Sequence, residues 1–219
     1  MSAITPPSAS RWSLSNYFDK ILCINRASRI DRWQHCLEQF GAFQISDVER
    51  IEAVEVFNIE NRSLLAWNGC TASHRLCLEI ASRHQRTLVL EDDFEMRFRD
   101  FHLLFEFMLR HVPLDWDMLY LGGHYGEAPI SRVSPCVLRC ARMMGISSYG
   151  ITAAHASRVC SHMRSSNQAD CVFSGFSRKY LHYVLQPRLI VQSTGYSDLC
   201  GCEINPSISM TDTLHENLV

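Results

Sequence analysis

The chain contains 219 residues, of which 47% are hydrophobic, and its mean hydropathy is -0.08, so it has an ordinary globular composition and enough length to bury a core. Its 21 Lys and Arg residues nearly balance 23 Asp and Glu residues, and the formal net charge of -2 gives no bulk electrostatic attraction to nucleic acid or to an anionic membrane. No apolar run reaches the roughly 20 residues that a membrane-spanning helix needs, which excludes a transmembrane segment and favours a cytoplasmic or membrane-peripheral protein.

The amino-terminal segment, residues 1–16, is rich in Ser and Pro and has no apolar period. We expect a mobile leader there, followed by a single domain over residues 17–219. Residues 20–24 form an apolar run that is typical of a buried strand. Ser28 then opens a helical pattern, which Gly41 ends.

Three arginines lie between this strand and the body of this helix: Arg26, Arg29 and Arg32. A loop that joins the carboxyl end of a strand to the amino end of a helix often binds anions or nucleotides in α/β folds. We therefore interpret Asn25 and the arginines as a candidate anion-binding loop. The alternative is that Arg29 and Arg32 only cover an exposed face of the helix.

The rest of the chain alternates between strand and helix patterns. Strands are predicted over residues 51–56, 87–90, 118–121, 149–152 and 183–191, the last interrupted by Pro187. Helices are predicted over residues 71–83 after a break at Gly69, after the capping residue Asp100, and over residues 153–164. Residues 124–145 are expected to be a mobile connection with one strand near residues 137–143, and no element is assigned beyond Tyr196. This alternation predicts an α/β fold with a doubly wound, mostly parallel sheet flanked by helices.

Three consecutive acidic residues, Glu91, Asp92 and Asp93, directly follow the apolar strand over residues 87–90. Like charges so close together oppose each other's ionisation unless a cation neutralises them, and oxygen ligands favour magnesium or manganese. Side chains alternate along a strand, so Glu91 and Asp93 would share one face while Asp92 points away. Taken alone, the triplet fits a solvated acidic loop equally well, and phosphatases or nucleases also carry acids at strand ends.

The ten cysteines are scattered through apolar segments. Pairs such as Cys136 with Cys140 and Cys200 with Cys202 lack the two-residue separation that is typical of zinc ligands. We interpret the cysteines as small buried hydrophobic residues rather than as a zinc site or a disulfide framework.

Several segments together carry a family resemblance. They are Ile24-Asn-Arg-Ala-Ser-Arg-Ile-Asp-Arg-Trp33, Gly69-Cys-Thr-Ala-Ser-His74, Leu88-Val-Leu-Glu-Asp-Asp93, Asp115-Trp-Asp-Met-Leu-Tyr-Leu-Gly122 and Ser148-Tyr-Gly-Ile151. In this order and spacing, the chain resembles the glycosyltransferase family 25 enzymes, which include lipooligosaccharide galactosyltransferases and the collagen galactosyltransferase domain. The likeness covers residues 19–196.

The resemblance implies a GT-A type nucleotide-diphospho-sugar transferase fold, a UDP-sugar donor and a divalent metal, Mn²⁺ or Mg²⁺. It implies inverting transfer of a hexose, usually galactose, to a glycan acceptor such as lipooligosaccharide or another glycoconjugate. Glu91 and Asp93 match the metal motif. The resemblance assigns binding of the sugar-nucleotide donor to Asn25, Arg26, Arg29, Ser73, His74, Asp92, Gly122 and Gly123. A structural role stays open for His74, and the two glycines either turn the backbone or let it pass close to the donor sugar.

An inverting transfer also needs a base for the acceptor hydroxyl. Asp170 lies where the family pattern carries an acid and is our first candidate, with Asp198 and Glu203 in reserve. His182 is expected to complete the metal shell, with Gln192 as the alternative. Two other functions remain open, namely a metal-dependent phosphoryl hydrolase and a degenerate domain that binds sugar nucleotides without turnover.

Overall fold

The computed structural model describes residues 13–56, 62–164, 167–198 and 200–205. The helices are α1 (Leu14–Tyr17), α2 (Ile30–Ala42), α3 (Arg62–Ala81), α4 (Phe101–Leu109), α5 (Ala153–Cys160) and α6 (Ala169–Ser177). The first seven strands are β1 (Lys20–Asn25), β2 (Val48–Glu52), β3 (Arg86–Glu91), β4 (Phe94–Met96), β5 (Met118–Tyr120), β6 (His124–Glu127) and β7 (Ser131–Ser134). They are followed by β8 (Val137–Arg139), β9 (Arg142–Met144), β10 (Ser148–Thr152), β11 (His182–Leu185), β12 (Ile190–Gln192), β13 (Gly195–Ser197) and β14 (Cys202–Ile204).

The centre of the molecule is an 8-stranded sheet with the order β2-β1-β3-β10-β5-β11-β8-β7. Strand β1 is parallel to both β2 and β3, and β11 is parallel to β5. Strand β10 runs antiparallel to its neighbours β3 and β5, and β8 runs antiparallel to its neighbours β11 and β7. All strands of the sheet except β10 and β8 therefore point the same way, which confirms the predicted α/β fold with a mostly parallel sheet.

Helices cover both faces of this sheet, because successive strand residues point to opposite sides. Leu88 and Leu90 of β3 belong to the apolar core that α2 and α4 complete, whereas Val89 belongs to the core that α3, α5 and α6 complete. The connection through α2 leads from β1 to β2, and the connection through α3 leads back past β1 to β3. The sheet is thus doubly wound, and the winding direction reverses at β1.

The amino-terminal boundary differs from the prediction. Residues 1–12 lie outside the described residues, but the last part of the expected leader, from Ser13, belongs to the folded domain. Leu14 in α1 is fully buried, and Trp116 donates a 3.0 Å hydrogen bond to the hydroxyl oxygen of Tyr17. One apolar residue anchors this short helix, which leaves too little periodicity to be recognised in the sequence.

Gly69 does not break the chain, as had been predicted, but lies inside α3. A Cβ atom at this position would lie 2.6 Å from the carbonyl oxygen of Val54, so the glycine permits close contact between the helix and the segment after β2. Strand β2 also begins and ends earlier than the predicted strand over residues 51–56.

Residues 124–145 contain β6, β7, β8 and β9 rather than a connection with one strand. Strands of three or four residues show too little alternation to be detected in the sequence. The predicted strand over residues 183–191 is divided into β11 and β12, and helix α6 and the hairpin of β13 and β14 were not predicted. Among the described residues, no helix has both the length and the apolar character needed to cross a membrane.

Candidate functional site

The candidate site lies at the carboxyl ends of β1 and β3, where the winding of the sheet reverses. These strands are parallel neighbours with Ile24 opposite Glu91, so the residues that follow them meet at one edge. The Asn25 side-chain amide donates a 2.6 Å hydrogen bond to Asp92 Oδ2, and Arg50 of β2 donates to the side-chain oxygen of Asn25. Asn25 and Asp92 are both buried. The structure therefore brings together two of the residues that the sequence assigned to the donor side.

Glu91, Asp92 and Asp93 form an acidic cluster at this edge, and Arg32, in the first turn of α2, neutralises much of its charge. Its Nη1 atom lies 2.7 Å from Asp92 Oδ1 and 3.8 Å from Asp93 Oδ2, and its Nη2 atom donates a 2.7 Å hydrogen bond to the carbonyl oxygen of Tyr196. Burial lowers the pKa of Arg32, but the hydrogen bond to Asp92 and the negative charges of Asp92 and Asp93 together raise it above its usual value. The sequence alone had left open whether Arg32 only covers an exposed face of the helix. Its three-residue spacing from Arg29 was the available indication that both face the same side of the helix.

Arg26 and Arg29, the other arginines of the predicted anion-binding loop, share a carboxylate from the far end of the chain. Asp198, just after β13, lies 2.8 Å from Arg29 Nη1 and 3.6 Å from Arg26 Nη1. Arg26 also pairs with Glu55 at 3.0 Å, and Arg29 pairs with Asp31 at 2.8 Å. Asp198 was predicted as a reserve base, and in the structure its carboxylate pairs with Arg26 and Arg29.

Asp93 is the least compensated member of the acidic cluster. Its side chain is 14% exposed, and its Oδ1 atom is buried without a hydrogen-bond partner. Gln192 is 3.5 Å from Oδ2. Burial and the nearby charge of Glu91 raise the pKa of Asp93 to about 7, although Arg32 acts in the opposite direction. An orphaned carboxylate oxygen beside a second acidic residue fits a divalent cation that prefers oxygen ligands.

Glu91 points to the opposite face of the sheet from Asp92, as the alternation of strand side chains predicts. The prediction that Asp93 shares the face of Glu91 is wrong, because Asp93 lies with Asp92 beside Arg32. Strand β3 ends at Glu91, so the residues that follow it no longer alternate. Its Oε1 atom lies 3.0 Å from Nε2 of His74, and Nδ1 of His74 lies 2.9 Å from the hydroxyl of Tyr149. His74 is buried in α3. Burial would lower the pKa of His74, but its contacts with Tyr149, Cys70 and Glu91 raise it well above the usual value. Tyr149 was not among the predicted site residues, because no sequence pattern indicates which strand residue faces this histidine.

Asp170, the predicted base, lies in the first turn of α6 and accepts a 2.9 Å hydrogen bond from the backbone N–H of Gly145. Burial and the charge of Glu91 raise its pKa to about 6. Asp170 is therefore within electrostatic range of the acidic cluster, on the Glu91 side.

His182 is not at this edge of the sheet, so the prediction that it completes a metal shell with Asp93 is wrong. It is opposite Met118 at the start of β5, and through β10 this level of the sheet corresponds to Thr87 at the start of β3. His182 is fully buried, and its Nε2 atom lies 2.7 Å from Nε2 of His155. Gln192, the reserve candidate, is the residue that contacts Asp93.

Three other predicted donor residues have structural contacts. Ser73 accepts a 2.8 Å hydrogen bond from the backbone N–H of Val54 and donates one of 2.7 Å to the carbonyl oxygen of Gly69. A Cβ atom at Gly122 would lie 2.7 Å from the carbonyl oxygen of Ile190, and Gly123 has a φ of +91°. The glycines let the chain turn after β5 and lie against the segment that leads into β12.

A cavity of about 320 Å³ opens beside the acidic cluster. It is lined by Arg29, Asp31, Arg32, His35, Asp92, Asp93, Ser193, Thr194, Gly195, Tyr196 and Ile204. One wall is the amino end of α2, one is the acidic cluster, and the third is the hairpin of β13 and β14. Both charge signs line the cavity, which suits a ligand that carries phosphate groups together with a cation.

Solved structures that are similar to this chain share little sequence identity with it. A glycosyltransferase involved in the glycosylation of the major capsid of PBCV-1 has a TM-score of 0.50 and 11% identity, over 82% of this chain and 94% of that chain. A UDP-glucose pyrophosphorylase in its apo form has a TM-score of 0.46 and 8% identity, over 76% of this chain and 73% of that chain. No family model and no curated protein matches the chain. The likeness to the PBCV-1 protein confirms the GT-A type fold.

Proposed function

We propose that this protein is a metal-dependent glycosyltransferase that moves a hexose from a UDP-sugar to a glycan or glycoconjugate acceptor. The observation that carries the proposal is that two arginines, Arg29 and Arg32, and two acidic residues, Asp92 and Asp93, face one cavity at the edge where the winding reverses. Ligands of doubly wound sheets bind at this position, outside the carboxyl ends of the strands. The resemblance to family 25 favours galactose as the sugar, inversion at the anomeric carbon and acceptors of the lipooligosaccharide class.

The donor is a dianionic diphosphate, and the arginines at the amino end of α2 are suited to bind it. Asn25 and Asp92 form a buried hydrogen-bonded pair beside them, which offers a carboxylate to the hydroxyl groups of the nucleoside. Asp93 would hold Mn²⁺ or Mg²⁺ through its carboxylate oxygens. Such an ion supplies charge neutralisation for the leaving diphosphate. Glu91, which the resemblance pairs with Asp93 in the metal motif, faces His74 instead.

The acceptor hydroxyl loses a proton during transfer, and Asp170 is the proposed base. Its pKa of about 6 means that it is mostly ionised at neutral pH, yet is a stronger base than an ordinary aspartate. The hydrogen bond from Gly145 fixes its position on the Glu91 side of the cluster.

The first test combines donor binding with one substitution. UDP-sugars with Mn²⁺ should raise the melting temperature of the wild-type protein, since a ligand that binds only the folded state stabilises it, whereas GDP- and CMP-sugars should not. Asp93→Asn should abolish the metal-dependent part of this shift and reduce donor turnover by roughly 100-fold or more, because it removes a ligand of the ion that stabilises the leaving group. Glu95→Gln changes an exposed acid two residues away and should leave both measurements unaltered.

Other outcomes would favour the alternatives. Release of phosphate from simple esters without any stabilisation by UDP would identify a phosphoryl hydrolase. Binding of UDP with metal, but no donor hydrolysis across a panel of sugars, would identify a domain that binds sugar nucleotides without turnover. Unchanged donor turnover in Asp93→Asn with Mn²⁺ would contradict the metal role of this residue.

A further inference from the structure

We propose that Cys70, His74 and Glu91 form a second cation site, which binds a divalent ion of the zinc class. The Cys70 thiol, the imidazole of His74 and the Glu91 carboxylate each offer one ligand atom, and these atoms all lie within 4.8 Å of one another. Sulfur and nitrogen ligands prefer zinc or cobalt, whereas the oxygen ligands at Asp93 prefer magnesium or manganese. Glu91 and His74 face each other rather than the cavity beside Asp93, so this ion is distinct from the one proposed at Asp93.

The local structure explains why the three ligands converge. Cys70 and His74 are four residues apart in α3, so they lie on the same face of the helix, one turn from each other. Helix α3 packs on the face of β3 to which Glu91 points, opposite the face that Asp92 occupies. Nε2 of His74 and Oε1 of Glu91 are already 3.0 Å apart, so the longer separations involve the Cys70 sulfur.

The surroundings of His74 match those of a metal-binding histidine. The ring nitrogen that is not aimed at Glu91 lies 2.9 Å from the hydroxyl of the fully buried Tyr149. That hydroxyl can accept the Nδ1 proton when an ion replaces the proton on Nε2, and so holds the ring in its metal-binding orientation. The ring of Phe173 meets the His74 ring edge to face at 6.2 Å and restricts its rotation.

Three protein ligands leave one tetrahedral position open, which is the arrangement of an exchangeable or catalytic ion rather than of a closed structural one. Cys70 and Glu91 are both partly exposed, so an ion can reach the site from solvent. Cys70 had been interpreted from the sequence only as one of many buried thiols, because its partner Glu91 is distant in the chain.

Cobalt titration of the metal-free, full-length protein tests the proposal. One equivalent of Co²⁺ should produce a thiolate-to-cobalt charge-transfer absorption together with the intense visible bands of a tetrahedral ion, and Zn²⁺ should displace both. Cys70→Ser should remove the charge-transfer band. The exposed thiols supply matched controls, so Cys171→Ser and the double variant Cys200→Ser with Cys202→Ser should retain the band.

Two further variants keep the test decisive. Tyr149→Phe retains all three ligands and the ring, and should weaken Co²⁺ affinity by about 10–100-fold, as the loss of a contact to a metal-binding histidine typically does. Asp93→Asn should retain the thiolate band, which separates this site from the proposed donor-metal site. A band that persists in Cys70→Ser, its absence in the wild-type protein, or unchanged affinity in Tyr149→Phe would overturn the proposal.

Discussion

At the scale of single residues, the two buried aspartates of the site differ in how well their charges are satisfied by hydrogen bonds. Asp92 receives hydrogen bonds from Asn25 and Arg32, so its burial is fully matched by partners. Asp93 is next to it, but one of its oxygens has no partner. A buried carboxylate without sufficient partners destabilises the folded state when it is ionised. The cluster therefore reduces stability in the absence of a cation.

Replacing Asp93 should make this cost measurable. The pKa of Asp93 is raised to about 7 in the folded protein, so the folded state keeps a proton on Asp93 at pH values where the unfolded state has released it. This proton stabilises the fold fully below the unfolded pKa, and the stabilisation is lost as the pH rises through 7. We expect Asp93→Asn to increase the free energy of unfolding by about 2 kcal/mol at pH 8, and much less at pH 5. Urea unfolding with a chelator present measures both values.

Glu95→Gln is the control for this experiment, since it removes an exposed acid and should show no such pH dependence. A variant that is less stable than the wild-type protein at pH 8 would contradict the assignment of Asp93 as an uncompensated charge.

Residue positions were predictable where they follow from strand geometry. The opposite directions of Glu91 and Asp92 follow from alternation, and the meeting of Asn25 with the acidic cluster follows from two adjacent parallel strands. The partners that reach the cluster from loops could not be predicted in this way. Asp198 contacts Arg29 across 169 residues of sequence separation, and no local pattern encodes such a contact.

At the scale of elements, the long apolar strands and amphipathic helices were predictable, and the short elements were not. Strand β3 is a continuous buried run and was recognised with its acidic end, whereas β6 to β9 are each three or four residues long. Helix α3 shows a further limit, because its Gly69 resembles a helix stop although it serves a contact with Val54. A glycine that permits close packing and a glycine that ends a helix look the same in a sequence.

Two glycine substitutions should separate packing from helix propensity. Gly175→Ala in α6 places a methyl group where nothing lies within 4 Å, so it should stabilise the protein by about 0.5–1 kcal/mol. Gly69→Ala gains the same propensity but brings a methyl group to 2.6 Å from the Val54 carbonyl oxygen, and should destabilise by about 1–3 kcal/mol. Denaturant unfolding of both variants measures the difference, and a stabilised Gly69→Ala protein would contradict the close contact.

At the scale of the whole molecule, the end of the sheet opposite the site contains a buried histidine pair. His155 in α5 and His182 in β11 are both fully buried, with their Nε2 atoms 2.7 Å apart. Burial lowers the pKa of His155 to about 4 and that of His182 well below its usual value. The pair therefore stays uncharged in the folded protein and links a helix to the sheet only while it is neutral.

This pair should make the fold sensitive to acid. The unfolded state binds protons at these histidines below about pH 6.5 while the folded state does not, so stability falls as the pH drops from there towards 4. For His155 the loss is on the order of 2–3 kcal/mol. His155→Gln should reduce this pH dependence in unfolding measurements at pH 7 and 4.5, whereas His111→Gln, which changes an exposed histidine, should not. Equal pH dependence in both variants would contradict the role of the pair.

The position of Asp198 has a consequence for how any phosphate-bearing ligand enters. The arginines it contacts already have an ionic partner, so ligand entry is an exchange of one anion for another, and the protein's own carboxylate competes with the ligand. Asp198→Asn should therefore tighten UDP binding by roughly tenfold, which corresponds to about 1.4 kcal/mol for one lost competitor. Isothermal titration calorimetry measures this, and weaker binding would instead mean that Asp198 holds the arginines in their binding geometry. A donor therefore binds only if its phosphates interact with these arginines more favourably than the Asp198 carboxylate does.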